Sequence, residues 1–359
     1  MQSEIINRLV SCAKGTLAPP YIIDLSPTDY CNLRCKSCWQ RNERFEGRLD
    51  SRHYQLSDKR LLELIDEGKD LGAVHWEITG GGEPLMRRAT PALLKRIKEH
   101  GMNGSMTTNG TLFTEKLISA LVGIRWDKVT FSIDGPDAAT NDFLRGTGTF
   151  RKVERSLKLL DQAKKANKTR FPVVAFNTVL SNVNYGKLSQ MIEFAHSVGC
   201  EIVSFEPLTV HSEIGNELKL RDDITGVSAH QDEAHRLAAR YGIATNVSHL
   251  AKQHIENSNR MDEVLACRGR GFLSIPCYEP WYHLVVKVDG NAGPCCICDD
   301  PKLNVKNESL RSIWYGSHFS SIRQSIMGGS LPHYCRICNA GQVIQNQGIQ
   351  KELSLCITR

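Results

Sequence analysis

From Tyr21 to about Pro207 short apolar runs alternate with segments whose apolar residues recur every three or four positions. The runs Tyr21–Leu25, His75–Thr79, Gly104–Thr108, Lys128–Ile133, Val173–Leu180 and Ile202–Glu206 read as strands. Helical spacing lies between them: Leu61, Leu62, Leu64 and Ile65; Leu93, Leu94 and Ile97; Leu117, Ile118 and Leu121; Val153, Leu157 and Leu160; then Leu188, Met191, Ile192 and Ala195. Strand-then-helix repeats predict an α/β fold with a parallel sheet, and right-handed crossovers curl such a sheet into a partial (β/α)6 TIM-like barrel.

Ligands of such folds sit at the C-terminal ends of the strands, and polar or glycine-rich sequence stands at each predicted end. The first strand leads to Cys31, Cys35 and Cys38, and the second to Gly80-Gly81-Gly82-Glu83-Pro84. The third ends in Thr107-Thr108-Asn109-Gly110 and the fourth in Ser132-Ile133-Asp134-Gly135-Pro136. The fifth carries Asn177, and the sixth closes on Phe205-Glu206-Pro207. Beyond residue 225 the pattern changes to a helix over Gln231–Tyr241 and a short strand over Ile243–Val247. The stretch Cys267–Ala340 is rich in cysteine and loops, with a hairpin from Tyr282–Val288 turning at Asp289-Gly290-Asn291.

Composition adds little: 41% hydrophobic and 23% charged residues are ordinary for a globular chain. A net charge of +6 over 359 residues makes no case for nucleic acid. The basic stretch Lys164 to Arg170 falls where a helix is expected to end. No apolar run approaches the ~18 residues of a membrane span, and the N-terminus lacks a secretory pattern, so the expected compartment is the cytoplasm.

The 13 cysteines do change the picture. In a reducing compartment they point to metal or redox chemistry rather than to a disulfide framework. Cys31-x3-Cys35-x2-Cys38 supplies three thiolates on one loop. A 4Fe–4S cluster is usually held by four, so three leave one iron open for a ligand. Structural zinc and three unligated thiols are the alternatives; zinc would normally close its shell with a nearby Cys or His, and the nearest histidine is His53.

The triplet followed by the Gly-Gly-Glu-Pro strand end resembles the radical S-adenosylmethionine (SAM) superfamily. The resemblance spans about Tyr21 to Pro207. It implies a SAM-binding 4Fe–4S cluster on Cys31, Cys35 and Cys38, and one-electron cleavage of SAM to a 5′-deoxyadenosyl radical that abstracts hydrogen from a substrate. Gly81, Gly82 and Glu83 match the motif that holds the methionine amino group, and Ser132 and Asp134 fall where members bond the ribose or nearby groups. Arg145 resembles an arginine that pairs with the methionine carboxylate, a task suited to a guanidinium fork. Asn109 and Asn177, with Thr108, are second-tier contacts, Asn109-Gly110 serving equally as a plain turn; the adenine is expected near Phe205 to Leu208. Many members carry an aromatic immediately before the third cysteine. Ser37 stands there here, and Trp39 follows the cysteine instead.

Cys277, Gly290, Cys295 and the pair Cys335-x2-Cys338, with Leu310-Arg-Ser-Ile-Trp314 between, resemble the C-terminal SPASM and twitch extensions of the superfamily. The resemblance implies one auxiliary 4Fe–4S cluster on Cys277, Cys295, Cys335 and Cys338. Zinc on the same ligands is the alternative, and Cys296 or Cys298 are possible substitutes. Cys267 and Cys356 are weak candidates for a hydrogen-atom donor. The implied organisation is an N-terminal extension over 1–20, the barrel over 21–225, a connecting segment over 226–266, the auxiliary module over 267–345 and a tail over 346–359.

A protein-ligated auxiliary cluster suits an electron acceptor, and the architecture is similar to deoxy-scyllo-inosamine dehydrogenase. The expected reaction is therefore oxidation or epimerisation of a small polar metabolite such as a sugar or aminocyclitol, with an external donor such as flavodoxin or ferredoxin. The segment before the first strand is shorter than a leader-peptide-binding domain, which favours the small molecule. Peptide modification is the second reading, and an electron carrier or zinc-binding protein the non-enzyme one. An electron carrier needs no nucleoside pocket.

Overall fold

The computed structural model describes residues 2–41, 54–210, 213–220, 224–250, 271–298, 300–338 and 340–357. Strands β1 (Ile22–Leu25), β2 (His75–Ile78), β3 (Asn103–Thr108), β4 (Lys128–Ser132), β5 (Val173–Leu180) and β6 (Ile202–Pro207) fall within a residue or two of the expected runs. Each pairs in parallel with the next, and β7 (Ala244–Thr245) continues the order beside β6. The result is a mixed α/β fold, the partial barrel that the alternating pattern implies.

Helices α1 (Gln2–Ala13), α2 (Asp58–Leu71), α3 (Thr90–Glu99), α4 (Glu115–Gly123), α5 (Ala138–Arg145), α6 (Thr149–Ala166), α7 (Leu188–Ser197), α8 (Glu213–Leu218) and α9 (Ile224–Tyr241) accompany the sheet. Local chemistry sets their ends. Ser57, Thr114 and Asp137 each accept a backbone N–H as N-caps of α2, α4 and α5, and Gly72 closes α2 in the left-handed conformation at φ 96°. The basic stretch ends α6 as expected: Lys165 pairs with Asp161, and Lys164 reaches Glu201.

Alternate strand residues Ile23, Leu25, Trp76, Ile78, Met106, Val129, Phe131, Phe176 and Val203 are buried in the apolar core. The intervening positions form a polar face, on which Asp24, Glu77 and Ser105 are in register on β1, β2 and β3, and Ser132, Asn177 and Ser204 on β4, β5 and β6. A sheet with one greasy and one polar face keeps helices outside and leaves its inner side for a ligand.

The C-terminal region is continuous with the barrel sheet. The expected hairpin forms as β8 (His283–Val286) and β9 (Ala292–Gly293), but β8 also pairs in parallel with β1, so the hairpin extends the barrel sheet. Helices α10 (Leu310–Tyr315), α11 (Ser317–Met327) and α12 (Ala340–Ile357) follow. They are tied back by Leu310 N to Glu67, Trp314 Nε1 to Ala18 O, and Tyr278 N to Asn346. No described helix is long and apolar enough to cross a membrane.

Candidate active site

The strand ends surround a cavity of about 610 Å³ lined by Cys31, Cys35, Cys38, Trp39, Gly80 to Glu83, Thr107 to Asn109, Ser132, Arg145 and Glu206 to Thr209, with Gln342 and Gln345 added from α12. With Val179 from β5, residues from five strand ends and the cysteine loop therefore meet at one place.

The cysteine loop is held by the glycine turn. Gly82 N donates to Thr28 O at 3.1 Å and Glu83 N to Tyr30 O at 2.8 Å. A Cβ on Gly81 would stand 2.2 Å from Asp29 Oδ1, and one on Gly82 would stand 2.2 Å from Tyr30 O. The glycines thus allow close approach to the segment that delivers Cys31.

Glu83 is buried and its carboxylate takes three donors: Leu85 N at 3.1 Å and Thr108 Oγ1 at 2.8 Å on Oε1, and Asn109 N at 2.6 Å on Oε2. Burial pushes its pKa up, and these donors pull against that rise. One acceptor position of Oε2 is left over on a residue that lines the cavity. Asn109 forms the expected turn and also reaches the cysteine loop. Its Oδ1 caps the turn at Thr111 N, and its Nδ2 reaches Asn32 Oδ1 at 2.9 Å and Cys31 Sγ at 3.8 Å.

Arg145 ends α5 at the cavity wall, where its backbone oxygen lies 3.8 Å from Cys35 Sγ. Its Nε stands 2.7 Å from Asp134 Oδ2, with the N–H not aimed at the oxygen, so the contact is an ion pair rather than a hydrogen bond. Asp134 is buried, accepts from Val179 N and does not line the cavity; it sets Arg145 from behind. Asn177 lies one strand from Ser132 and likewise does not line it. Asp134→Asn strips the counter-charge from a buried guanidinium, and should cost about 3–5 kcal/mol of folding free energy in denaturant titration.

Among the described residues no three His, Cys, Asp or Glu side chains stand as a ready metal site. The donor chemistry nevertheless fits an iron–sulfur cluster. Burial raises the thiols of Cys31 and Cys35, the latter to about 11, so without a cation they are held as thiols. A bound metal would supply the missing positive charge.

The second set gathers around the hairpin. Burial pushes Cys277 well up, with Glu279, Cys295 and Cys338 among its charged neighbours. Cys335 is raised to about 11 by burial and by neighbouring Cys298, which is itself buried, whereas Cys296 is exposed. Cys267 lies outside the described residues. Cys356 is exposed near the end of α12, about 16 Å along the helix from Gln345, and does not line the cavity.

Beside Cys277 lies a buried polar group. Glu279 accepts from Tyr282 Oη, from Gln342 Nε2 and from His283 Nδ1 at 2.5 Å. Burial opposes a charge on His283, but Glu279, Asp24 and Glu77 outweigh it and hold His283 at about 9. Burial and Glu77 push Asp24 to about 7, against the pull of His283. Both values lie above the ordinary ones of 6.5 and 3.8. The Asp24 contribution is thus present below about pH 3.8 and lost as pH rises through about 7; that of His283 is present below about pH 6.5 and lost through about 9. Unfolding free energy from these groups should fall as pH rises over that window, and Asp24→Asn should flatten the acidic part. Urea midpoints at a series of pH values check it; a rise in both proteins would contradict it.

The α12 glutamines carried no signal in the sequence, being two polar residues in a segment without chemical periodicity. The comparisons with known proteins agree with the geometry. Residues 25–195 match the model of the Radical SAM superfamily, and residues 277–339 match SPASM, an iron–sulfur cluster-binding domain. Mycofactocin maturase MftC of Mycobacterium tuberculosis is 27% identical over 197 residues, covering 55% of this chain and 47% of that protein. The chain spans about half the length of such curated relatives.

SuiB of Streptococcus suis bound to S-adenosylmethionine shares the fold at TM-score 0.65 and 17% identity, over 89% of this chain and 69% of SuiB. Its complex with precursor peptide SuiA gives 0.64 at 18%, over 93% and 74%. The structure of anSMEcpe with AdoMet and the Kp18Cys peptide gives 0.63 at 17%, over 94% and 97%. The cysteine loop, the glycine turn and the C-terminal cysteine set thus coincide with matched domains, and the chain belongs to the radical SAM superfamily, with a C-terminal SPASM iron–sulfur cluster-binding domain.

Proposed function

We propose that this chain is a peptide-modifying radical SAM enzyme. The observation that carries the chemistry is the single cavity where Cys31, Cys35 and Cys38 meet Glu83 and Arg145. With a 4Fe–4S cluster and SAM bound there, the site would gain a 5′-deoxyadenosyl radical able to abstract hydrogen. The protein's part is placement. The three thiolates hold the cluster, the spare acceptor of Glu83 takes an ammonium, and Arg145, set by Asp134, takes a carboxylate. Ser132 and Asn109 hold nearby hydroxyls, with Asp134 and Asn177 behind them. Trp39 and Glu206 to Leu208 flank the adenine.

Cys277, Cys295, Cys335 and Cys338 would hold an auxiliary cluster, which would supply an electron acceptor and so make the net change an oxidation. An external flavodoxin or ferredoxin would supply the electron for SAM cleavage, in the cytoplasm. The peptide reading is favoured over a sugar or aminocyclitol by the maturase MftC and by the peptides held in SuiB and anSMEcpe.

Synthetic peptide pools and pools of sugars and aminocyclitols, each given to the reduced, reconstituted enzyme with SAM, separate the two. The expected result is faster 5′-deoxyadenosine release with peptides, accompanied by loss of two hydrogens from a peptide product. Acceleration by the polyols alone would return the substrate to the small-metabolite class.

A further inference from the structure

Gln342 and Gln345 reach the cavity from α12, and the protons available around Glu279 fix which way their amides point. A carboxylate only accepts, so Gln342 turns its NH2 to Glu279. Tyr282 is buried and has one proton, which it donates to the same carboxylate. Towards Gln345 that hydroxyl can only accept, and Gln345 Nε2 donates to it at 3.3 Å. The Oε1 of Gln345 is thereby left as an acceptor with no hydrogen bond among the described residues, on an exposed residue of the cavity wall. The cavity wall at Gln345 thus offers an acceptor, which suits a ligand that brings an N–H donor.

We propose that Gln345, oriented by Tyr282 and Glu279, receives an amide N–H of the peptide substrate and is a specificity-determining residue of this site. The inference rests on the peptide reading above. One acceptor gained or lost changes affinity by a few-fold to about tenfold.

The test uses the full-length, reconstituted protein with SAM and measures binding by ligand-observed NMR. The probes are a blocked alanine tripeptide, its analogue with ester oxygens in place of the amide N–H groups, and n-butylamine. The tripeptide should bind about three- to tenfold tighter than the ester. Gln345→Leu should bring that ratio close to one with ester affinity unchanged. Tyr282→Phe, which frees the Gln345 amide to turn, should lower the ratio while Gln345 remains, an effect that general loosening of the fold would not produce. Equal binding of amide and ester by the wild type, a ratio that survives both substitutions, or binding of no probe would overturn the proposal. If butylamine alone binds, and Gln345→Leu weakens it, the donor-accepting wall stands while the peptide reading fails.

Discussion

Replacing Cys31, Cys35 and Cys38 together by alanine is expected to reduce 5′-deoxyadenosine formation to background and to remove about one cluster's worth of iron. The auxiliary iron should stay. The expectation follows from the division of labour in the fold. The three thiols stand on one loop at the ends of β1 and β2, whereas Cys277, Cys295, Cys335 and Cys338 belong to the hairpin and the segment before α12. The hairpin is nonetheless hydrogen-bonded to β1, so the two sites share a sheet. Iron analysis with Mössbauer spectroscopy separates the outcomes. Loss of all iron would mean that the first cluster is needed to fold the second site. Retained product formation would mean that these cysteines do not hold the reacting cluster.

Gly82→Ala is expected to be the most damaging single methyl group in the site. Its Cβ would stand 2.2 Å from Tyr30 O and 2.5 Å from Asp29 C, backbone atoms that cannot rotate away. The strain comes from contact, since Gly82 is not among the glycines at positive φ. Relief requires the chain just before Cys31 to move, stretching the bonds from Gly82 N to Thr28 O and from Glu83 N to Tyr30 O. Overpacking of this kind costs about 1–3 kcal/mol. The melting temperature should therefore fall by roughly 2–10 °C, and loading of the first cluster should drop severalfold. Gly123→Ala is the control, because nothing lies within 4 Å of a Cβ at the end of α4. It should be neutral or slightly stabilising. Full cluster loading in Gly82→Ala, at an unchanged melting temperature, would contradict the role given to the turn.

The six central strands were legible because their residues alternate between a core face and a polar face and their ends carry Gly, Asn and Asp. The run Val173–Leu180 coincides with β5 from end to end. The partnership of β8 with β1 was not legible. The pattern of Leu284 to Val286 marks a strand, but which edge it joins is decided by tertiary packing. Helix α12 escaped notice for a different reason. Its apolar residues show almost no amphipathic periodicity, so nothing in the segment after Cys338 announced a helix.

In the site, residues whose chemistry is local to a motif were readable: the triplet, Glu83, Ser132 and Arg145 all reach the cavity. Asp134, expected to bond the ribose or nearby groups, has its carboxylate turned to Arg145 and Val179. A motif gives the residue type, and only packing gives the direction of the side chain. Gln345 illustrates the converse, an ordinary polar residue made specific by a buried tyrosine that lies 63 positions away.

An open iron on the Cys31–Cys35–Cys38 loop is expected to bind the methionine end of SAM. Electron–nuclear double resonance on the reduced, reconstituted protein with SAM labelled at the methionine nitrogen and carboxylate oxygens tests it most directly. Hyperfine coupling from both labels to the cluster is expected, abolished in the triple cysteine variant. A reduced cluster that shows no coupling to either label, with SAM bound at saturation, would contradict it.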